Sequence, residues 1–422
     1  MPTQYLTTSN TLTRKNARHE VGMLADQLTP GGTLTDAFGR LRISTPYTLF
    51  DSQHRYADNG KWSIYASNGA TATHATNESA INLTVTSTLS SKVIRESTRV
   101  MPYQPGKSLL VMSSFAMAPT SGLRQRVGYF NESNGIFFEN DNGTNKIVLR
   151  SASLNTTYSI SQSSWNGDKF DGTGYSGRTL DPTKTQIFWI DIEWLGVGDV
   201  RCGFIVDGSP VVAHTFHNDN IHSTAYMTTA CLPIRYEIEN LSSLADRTMK
   251  QICSTAISEG GYEQITKQWA ATRTSPLTVD SSTWKPVVSI QLYSTRLDSI
   301  VVPSQVHIAG TGNNAIYEFA LIRNATITGG EWIQHTASGG GVEYNVTATG
   351  MANGTIEDSG IFASSNQSNA LINAELAHRL DNQLGRSLAS ASTYASDTYT
   401  LAARQLAVGG TVYGTLNWNT IV

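Results

Sequence analysis

Asp191 and Glu193 stand two positions apart, the spacing at which an extended strand turns both side chains to one side. Two carboxylates on one face are the tools of glycoside hydrolysis, one protonating the leaving oxygen while the other attacks or activates water. A retaining pair needs its carboxyls about 5–5.5 Å apart across the scissile bond. Glycosidase strands of that pattern carry a further Glu on each side of the pair, where this chain has Trp189 and Leu195. The two acids therefore read as the wet side of a half-buried strand, and the chain reads as no enzyme.

A second cluster, Trp165 to Gly177, gathers Trp165, Asn166, Asp168 and Asp171 among several glycines. Such oxygen ligands can wrap a calcium ion, but the spacing follows no calcium loop and no bidentate Glu closes it. Carboxylates bonding their own backbone explain the segment without a metal. Aromatic faces stack on sugar rings, so Trp165, Asp168 and Asp171 become the candidate glycan-binding residues. His214, His217 and His222 have no carboxylate or cysteine at a ligand interval, and the first two, three apart, face opposite ways on a strand. Gly196-Val197-Gly198 is a turn without the helix of a nucleotide fingerprint. No cofactor or metal is expected. Arg95, Arg99, Arg124, Arg126 and Arg150 alternate with apolar residues, lining one face with positive charge suited to carboxylates of a neighbouring subunit or to acidic sugars.

The elements that must hold these residues are strands. In Gln186 to Phe216, Phe188, Ile190 and Ile192 alternate with polar neighbours, as do Val200, Cys202 and Phe204, and Asp207-Gly208 supplies a tight hairpin turn. Asn-Gly or Asp-Gly recurs between short β-branched and aromatic runs from Phe50 to about Tyr262. The reading is all-β: an extended N-terminal arm over 1–50, a concanavalin-like jelly-roll β-sandwich over 51–263, a linker over 264–285, and a second, smaller β-sandwich over 286–422. Leu371, Ala374, Leu376, Ala377, Leu380 and Leu384 recur every three or four positions and predict a helical insertion near 368–385.

With 422 residues, 15% of them charged, and a net charge of −3, the chain can bury ample cores but lacks the basic surface of a nucleic-acid binder. Cys202, Cys231 and Cys253 form no CxxC pair, which suggests folding in a reducing cytoplasm. No apolar run approaches the ~20 residues of a membrane span, and no signal peptide is expected.

Several segments together resemble structural proteins of tailed bacteriophage virions, especially those infecting cyanobacteria and other aquatic bacteria. They are LTDAFGRLRISTPYTLFDSQHRYADNGKW from Leu34, RVMPYQPGKSLLVMSSFAM, RQRVGYFNESNGIFFE, the stretch from Ile187 to Phe216, LPIRYEIEN and QICSTAISEGGYE. The resemblance covers most of 34–263. It implies a non-enzymatic virion component made in the host cytoplasm: a tail- or neck-associated fibre or adaptor, with head-surface decoration or host-glycan attachment as alternatives. Its partners would be other virion proteins and itself, as a homo-oligomer that analogy makes a trimer. The same resemblance makes Phe38 and Leu41 apolar anchors of the arm, and Arg40 and Arg42 its ion-pairing residues.

Overall fold

The computed structural model describes residues 43–263, 266–335, 341–364, 370–375 and 382–421. Most of the arm, with the expected interface residues Phe38, Arg40, Leu41 and Arg42, lies outside these residues. The first sandwich opens with β1 (Tyr47–Gln53), β2 (Trp62–Ser67), β3 (Thr71–Ala75), β4 (Ala80–Val85) and β5 (Lys92–Ser97). It continues with β6 (Leu109–Ala116), β7 (Leu123–Phe130), β8 (Gly135–Asp141), β9 (Thr144–Ser151) and β10 (Thr156–Ser161). It closes with β11 (Gln186–Ile192), β12 (Val200–Val206), β13 (Ser209–Phe216), β14 (Ile234–Asn240) and β15 (Arg247–Ser258). One sheet runs β13-β12-β11-β6-β15-β4-β3 with β1 also on β15, and the facing sheet runs β10-β9-β8-β7-β14-β5-β2. This is the jelly-roll sandwich expected.

Alternation builds its core. Phe188, Ile190 and Ile192 of β11 and Val200, Cys202 and Phe204 of β12 are buried, and Phe138 from the facing sheet meets the Phe204 ring edge-on at 5.3 Å. Asp207 (φ 49°) and Gly208 (φ 80°) take the left-handed angles that let β13 fold straight back on β12. The last four positions assigned to the arm belong to this domain: β1 begins at Tyr47, and Leu49 and Phe50 are buried.

The second sandwich comprises β16 (Lys267–Val279), β17 (Lys285–Leu292), β18 (Ile300–Gly310), β19 (Ile316–Arg323), β20 (Thr326–Thr328), β21 (Ile333–Gln334) and β22 (Val342–Asn345). Then come β23 (Gly350–Ala352), β24 (Thr355–Ala363), β25 (Ala370–Glu375), β26 (Arg386–Leu388), β27 (Tyr394–Ser396), β28 (Thr398–Ala407) and β29 (Gly410–Ile421). A four-stranded sheet, β16-β29-β18-β25, faces a six-stranded one, β21-β22-β17-β28-β19-β24. Trp418, Val287, Ile290, Leu401 and Leu416 fill the space between.

Two sequence expectations fail here. The supposed linker contains β16, paired with β29 from Lys267↔Thr420 to Val279↔Gly410. Its inward set, Ala271, Arg273, Leu277 and Val279, is sparse because an edge strand keeps much of its surface in water, and Pro276 sits where the register shifts. Within the supposed helix, Ala370–Glu375 is strand β25, laddered on β18. A run whose apolar residues fit either period joins an open sheet edge when one is beside it. Leu384, the end of that pattern, is buried in the second core.

The two domains meet where 383–394 crosses to the edge of the seven-stranded sheet. Arg386 N–H donates to the Thr98 carbonyl at 2.7 Å, and Leu388 N–H to Ser63 Oγ at 2.7 Å. Arg386 Nη2 and Tyr394 O–H both reach the buried Glu96 carboxylate, at 3.3 and 3.2 Å.

Candidate functional site

The outward face of the eight-stranded sheet carries a groove of about 470 Å³. Leu110 and Met112 of β6, Trp189 and Asp191 of β11, Arg201 and Ile205 of β12, Pro210 and Val212 of β13, and Glu259 just past β15 line it. These are the alternate residues to those that fill the core, so the same period that buries Phe188 and Ile190 delivers Trp189 and Asp191 outward. The register sets Asp191 opposite Leu110 on one side and Arg201 on the other, and Trp189 opposite Met112 and Gly203. At Gly203 a bulge brings the Val211 carbonyl oxygen to 1.9 Å from where a Cβ would stand, so the strand pairing there has room only for glycine. A second hollow of about 440 Å³, lined by Ser108, Asp191, Glu193, Asp199 and Arg201, shares its wall with the first. Together they grade from an acidic end to an apolar end at Ile205, Pro210 and Val212.

Asp191 is the best-held group in the groove. Ser108 Oγ–H donates to its Oδ1 and Arg201 Nη2–H to its Oδ2, and its side chain is only 10% exposed. Glu193 lies beyond the end of β11, its N–H donating to the Asp199 carbonyl at 3.1 Å. The two acids thus reach one hollow, but not as neighbours on one strand. Burial, and then the Asp191 charge, push the Glu259 carboxyl above its ordinary range. His217 Nδ1 pairs with Asp199 Oδ2 at 2.8 Å. The indole N–H of Trp189, a residue 5% exposed, has no hydrogen-bond acceptor.

The candidates Trp165, Asp168 and Asp171 are brought together, but not as a binding surface. Trp165 is 2% exposed, donates Nε1–H to the Ile160 carbonyl at 3.1 Å, and packs on Phe170 and Phe204. A ring enclosed in the core offers no face to a sugar. Asp168 is buried and accepts N–H bonds from Phe170 (2.8 Å) and Ser176 (2.7 Å); burial opposes its ionisation, and these bonds outweigh it and lower its pKa. Asp171 is exposed and accepts from Thr173 N–H and Oγ1–H at 2.9 and 2.6 Å. Both acids brace their own loop. His214, also buried, accepts the Asn166 N–H at 3.3 Å, and burial followed by His217 lowers its pKa to about 4. Among the described residues no three His, Cys, Asp or Glu side chains gather as metal ligands.

Of the arginine stripe, Arg124, Arg126 and Arg150 lie on the other outward face, that of the seven-stranded sheet, with partners inside the chain, whereas Arg95, laddered opposite the core residue Tyr236 and over Trp62, turns to the inner side. Arg95 meets Asp58 through two bonds of 2.6 and 2.7 Å, Arg124 meets Glu239, and Arg126 meets Glu139 at 2.6 Å and Glu237 at 3.3 Å. Arg150 donates to the Asn131 carbonyl at 2.8 Å and lies over Phe137. At the centre Arg235, fully buried, holds Glu96, Glu132 and Glu237 at 3.2, 2.5 and 2.9 Å. The groove residues Leu110, Met112 and Glu259 escaped sequence reading.

No protein-family model and no curated protein matches the chain. Solved structures similar to it include lectin II from Ulex europaeus, with 11% identity and a TM-score of 0.33 over 50% of this chain and 100% of that one. A prokaryotic β-1,3-1,4-glucanase from a mouse hindgut metagenome has 12% identity and a TM-score of 0.33 over 50% and 100%. A carbohydrate esterase from the Shiga toxin-encoding bacteriophage phi24B has 10% identity and a TM-score of 0.30 over 51% and 100%. Each aligns with about half of this chain.

Proposed function

We propose that the chain is a non-enzymatic structural component of a tailed-phage virion, a tail- or neck-associated fibre or adaptor that joins other subunits through its N-terminal arm. The observation that carries this reading is the resemblance of residues 34–263 to such proteins. Two features are consistent with it. Asp191, the buried acid of the groove, has both oxygens committed to Ser108 and Arg201 and is poorly placed to accept a proton. The second sandwich is tied to the first through the buried Glu96, a joint suited to bearing load. Deleting residues 1–42 leaves both cores intact and should give a folded chain missing from purified virions. Wild-type incorporation of that truncation removes the proposal.

The groove favours a second reading, a host-glycan-binding module in the same virion. Leu110, Met112 and Ile205 offer an apolar shelf, and Arg201 and Glu259 offer polar contacts beside it, the mixture that orients a sugar. Calorimetric titration with oligosaccharides from host lipopolysaccharide tests it. Saturable binding weakened at least tenfold by Arg201→Ala supports the module, and no heat at millimolar ligand eliminates it.

A further inference from the structure

On the outward face of the seven-stranded sheet the register sets cations opposite acids. Arg126 lies opposite Glu139 and Glu237, Arg124 opposite Asp141 and Glu239, Lys146 opposite Glu139, and Lys92 opposite Glu239. Arg150 breaks the pattern. Its neighbours across the ladder are Gly135 on one side and Thr157 on the other, and neither carries a charge. Its Nη1–H donates to the carbonyls of Asn131 and Glu132 at 2.8 and 3.3 Å, and no carboxylate of the described residues forms an ion pair with it.

Its surroundings make that missing acid matter. Arg126 lies over the Phe137 ring and Arg235 over the Phe130 ring, the same two rings that Arg150 covers, so three guanidiniums crowd one spot. Burial, and then the Arg126 charge, lower the Arg150 pKa. The Glu132 carboxylate offsets this only in part, because it is bonded to Arg235 at 2.5 Å. Arg150 also lines a hollow of about 570 Å³, with Glu132 and Ser133 from the β7–β8 turn, Asn155 from the β9–β10 turn and Thr157 from the edge strand β10. Ala152 is the one apolar residue in that lining, so a ligand there is held by charge and hydroxyl hydrogen bonds and not by stacking.

We propose that this hollow binds an acidic sugar, with Arg150 holding the sugar carboxylate and Ser133, Asn155 and Thr157 meeting its hydroxyls. A carboxylate offers two oxygens to the planar guanidinium fork and supplies the negative charge that the ladder omits at this position. The volume admits a sugar residue, and the polar lining selects a ligand rich in hydroxyls over an apolar acid. The site lies on the face opposite the groove and rests on neither the groove reading nor the assembly reading.

The test titrates the full chain with D-glucuronate at low salt, followed by ligand-observed NMR. Saturable binding is expected, with D-glucose, acetate and inorganic phosphate each at least tenfold weaker, since each lacks the carboxylate, the ring hydroxyls or both. Thr157→Glu sets a carboxylate opposite Arg150 at an exposed edge-strand position and should weaken glucuronate at least tenfold without lowering the melting temperature. Arg150→Lys keeps the charge, loses the fork and should weaken it at least threefold. Arg201→Ala, in the groove, should leave the affinity within twofold, which separates this site from that one. No saturation in the tens of millimolar, equal affinity for glucose, acetate or phosphate, or binding that survives Thr157→Glu or disappears with Arg201→Ala would each overturn the proposal.

Discussion

The two outward faces of the first sandwich differ in how they treat charge. The seven-stranded face holds Arg124, Arg126 and Arg235 against Glu96, Glu132, Glu139, Glu237 and Glu239, and the second domain adds Arg386 to the set. In the groove of the eight-stranded face Asp191 pairs with Arg201 beside an apolar shelf that no described residue covers. In sequence the first face looks the more functional, because its arginines are conspicuous and its carboxylates lie far along the chain. Folded, these charges satisfy one another, and the groove left open lies on the face whose sequence is plainer. A charged side chain marks a binding site only after its intramolecular partners have been counted.

The contrast can be broken most strongly at Arg235. Arg235→Ala leaves Glu237 buried without its main partner and Glu96 with Arg386 and Tyr394 alone, and should cost about 3–5 kcal/mol, read by denaturant unfolding of the first domain. A loss below about 1 kcal/mol would place the network among ordinary surface ion pairs. Arg386→Ala removes one bond to Glu96 but leaves Arg235 in place, so about 1–3 kcal/mol is expected, along with faster proteolysis between the domains.

Acid sharpens the comparison next. Burial raises the Glu237 pKa, but Arg235, Arg126 and Lys92 outweigh it and hold the carboxyl well below the usual range. Its stabilising contribution is present above the unfolded value near ~4.3 and is lost as pH falls below it. His54 and His214 act earlier: burial lowers each to about 4, so the unfolded chain takes up their protons first as pH drops from 6.5. The melting temperature should therefore fall in two stages, from about pH 6.5 to 4 and then below about 4. Glu237→Gln should flatten only the second stage. The groove should respond least. Glu259→Gln removes an exposed carboxyl and should change stability by no more than ~0.5 kcal/mol in the same unfolding assay.

The all-β character, the β11 to β13 meander and its turn were legible because each depends on neighbours two to four positions away. Phe188 and Ile190 alternate with Trp189 and Asp191 whatever the rest of the chain does, and Asp207-Gly208 needs only its own backbone angles to turn. Trp165 was misread for the opposite reason: its loop looks exposed, and its burial depends on Phe204, 39 positions on. β16 and β25 were missed because what holds them is a ladder to β29 and β18, partners that no local window contains.

The sequence by itself determined which side chains share a face, since strand geometry sets that residue by residue. Tertiary structure alone decided which face stayed open. Arg235 and Glu96 are 139 positions apart, and Glu96 and Arg386 are 290 apart. Whether a charge is spent inside the molecule or kept for another depends on sheet order and domain docking, which bring such distant residues within hydrogen-bond reach.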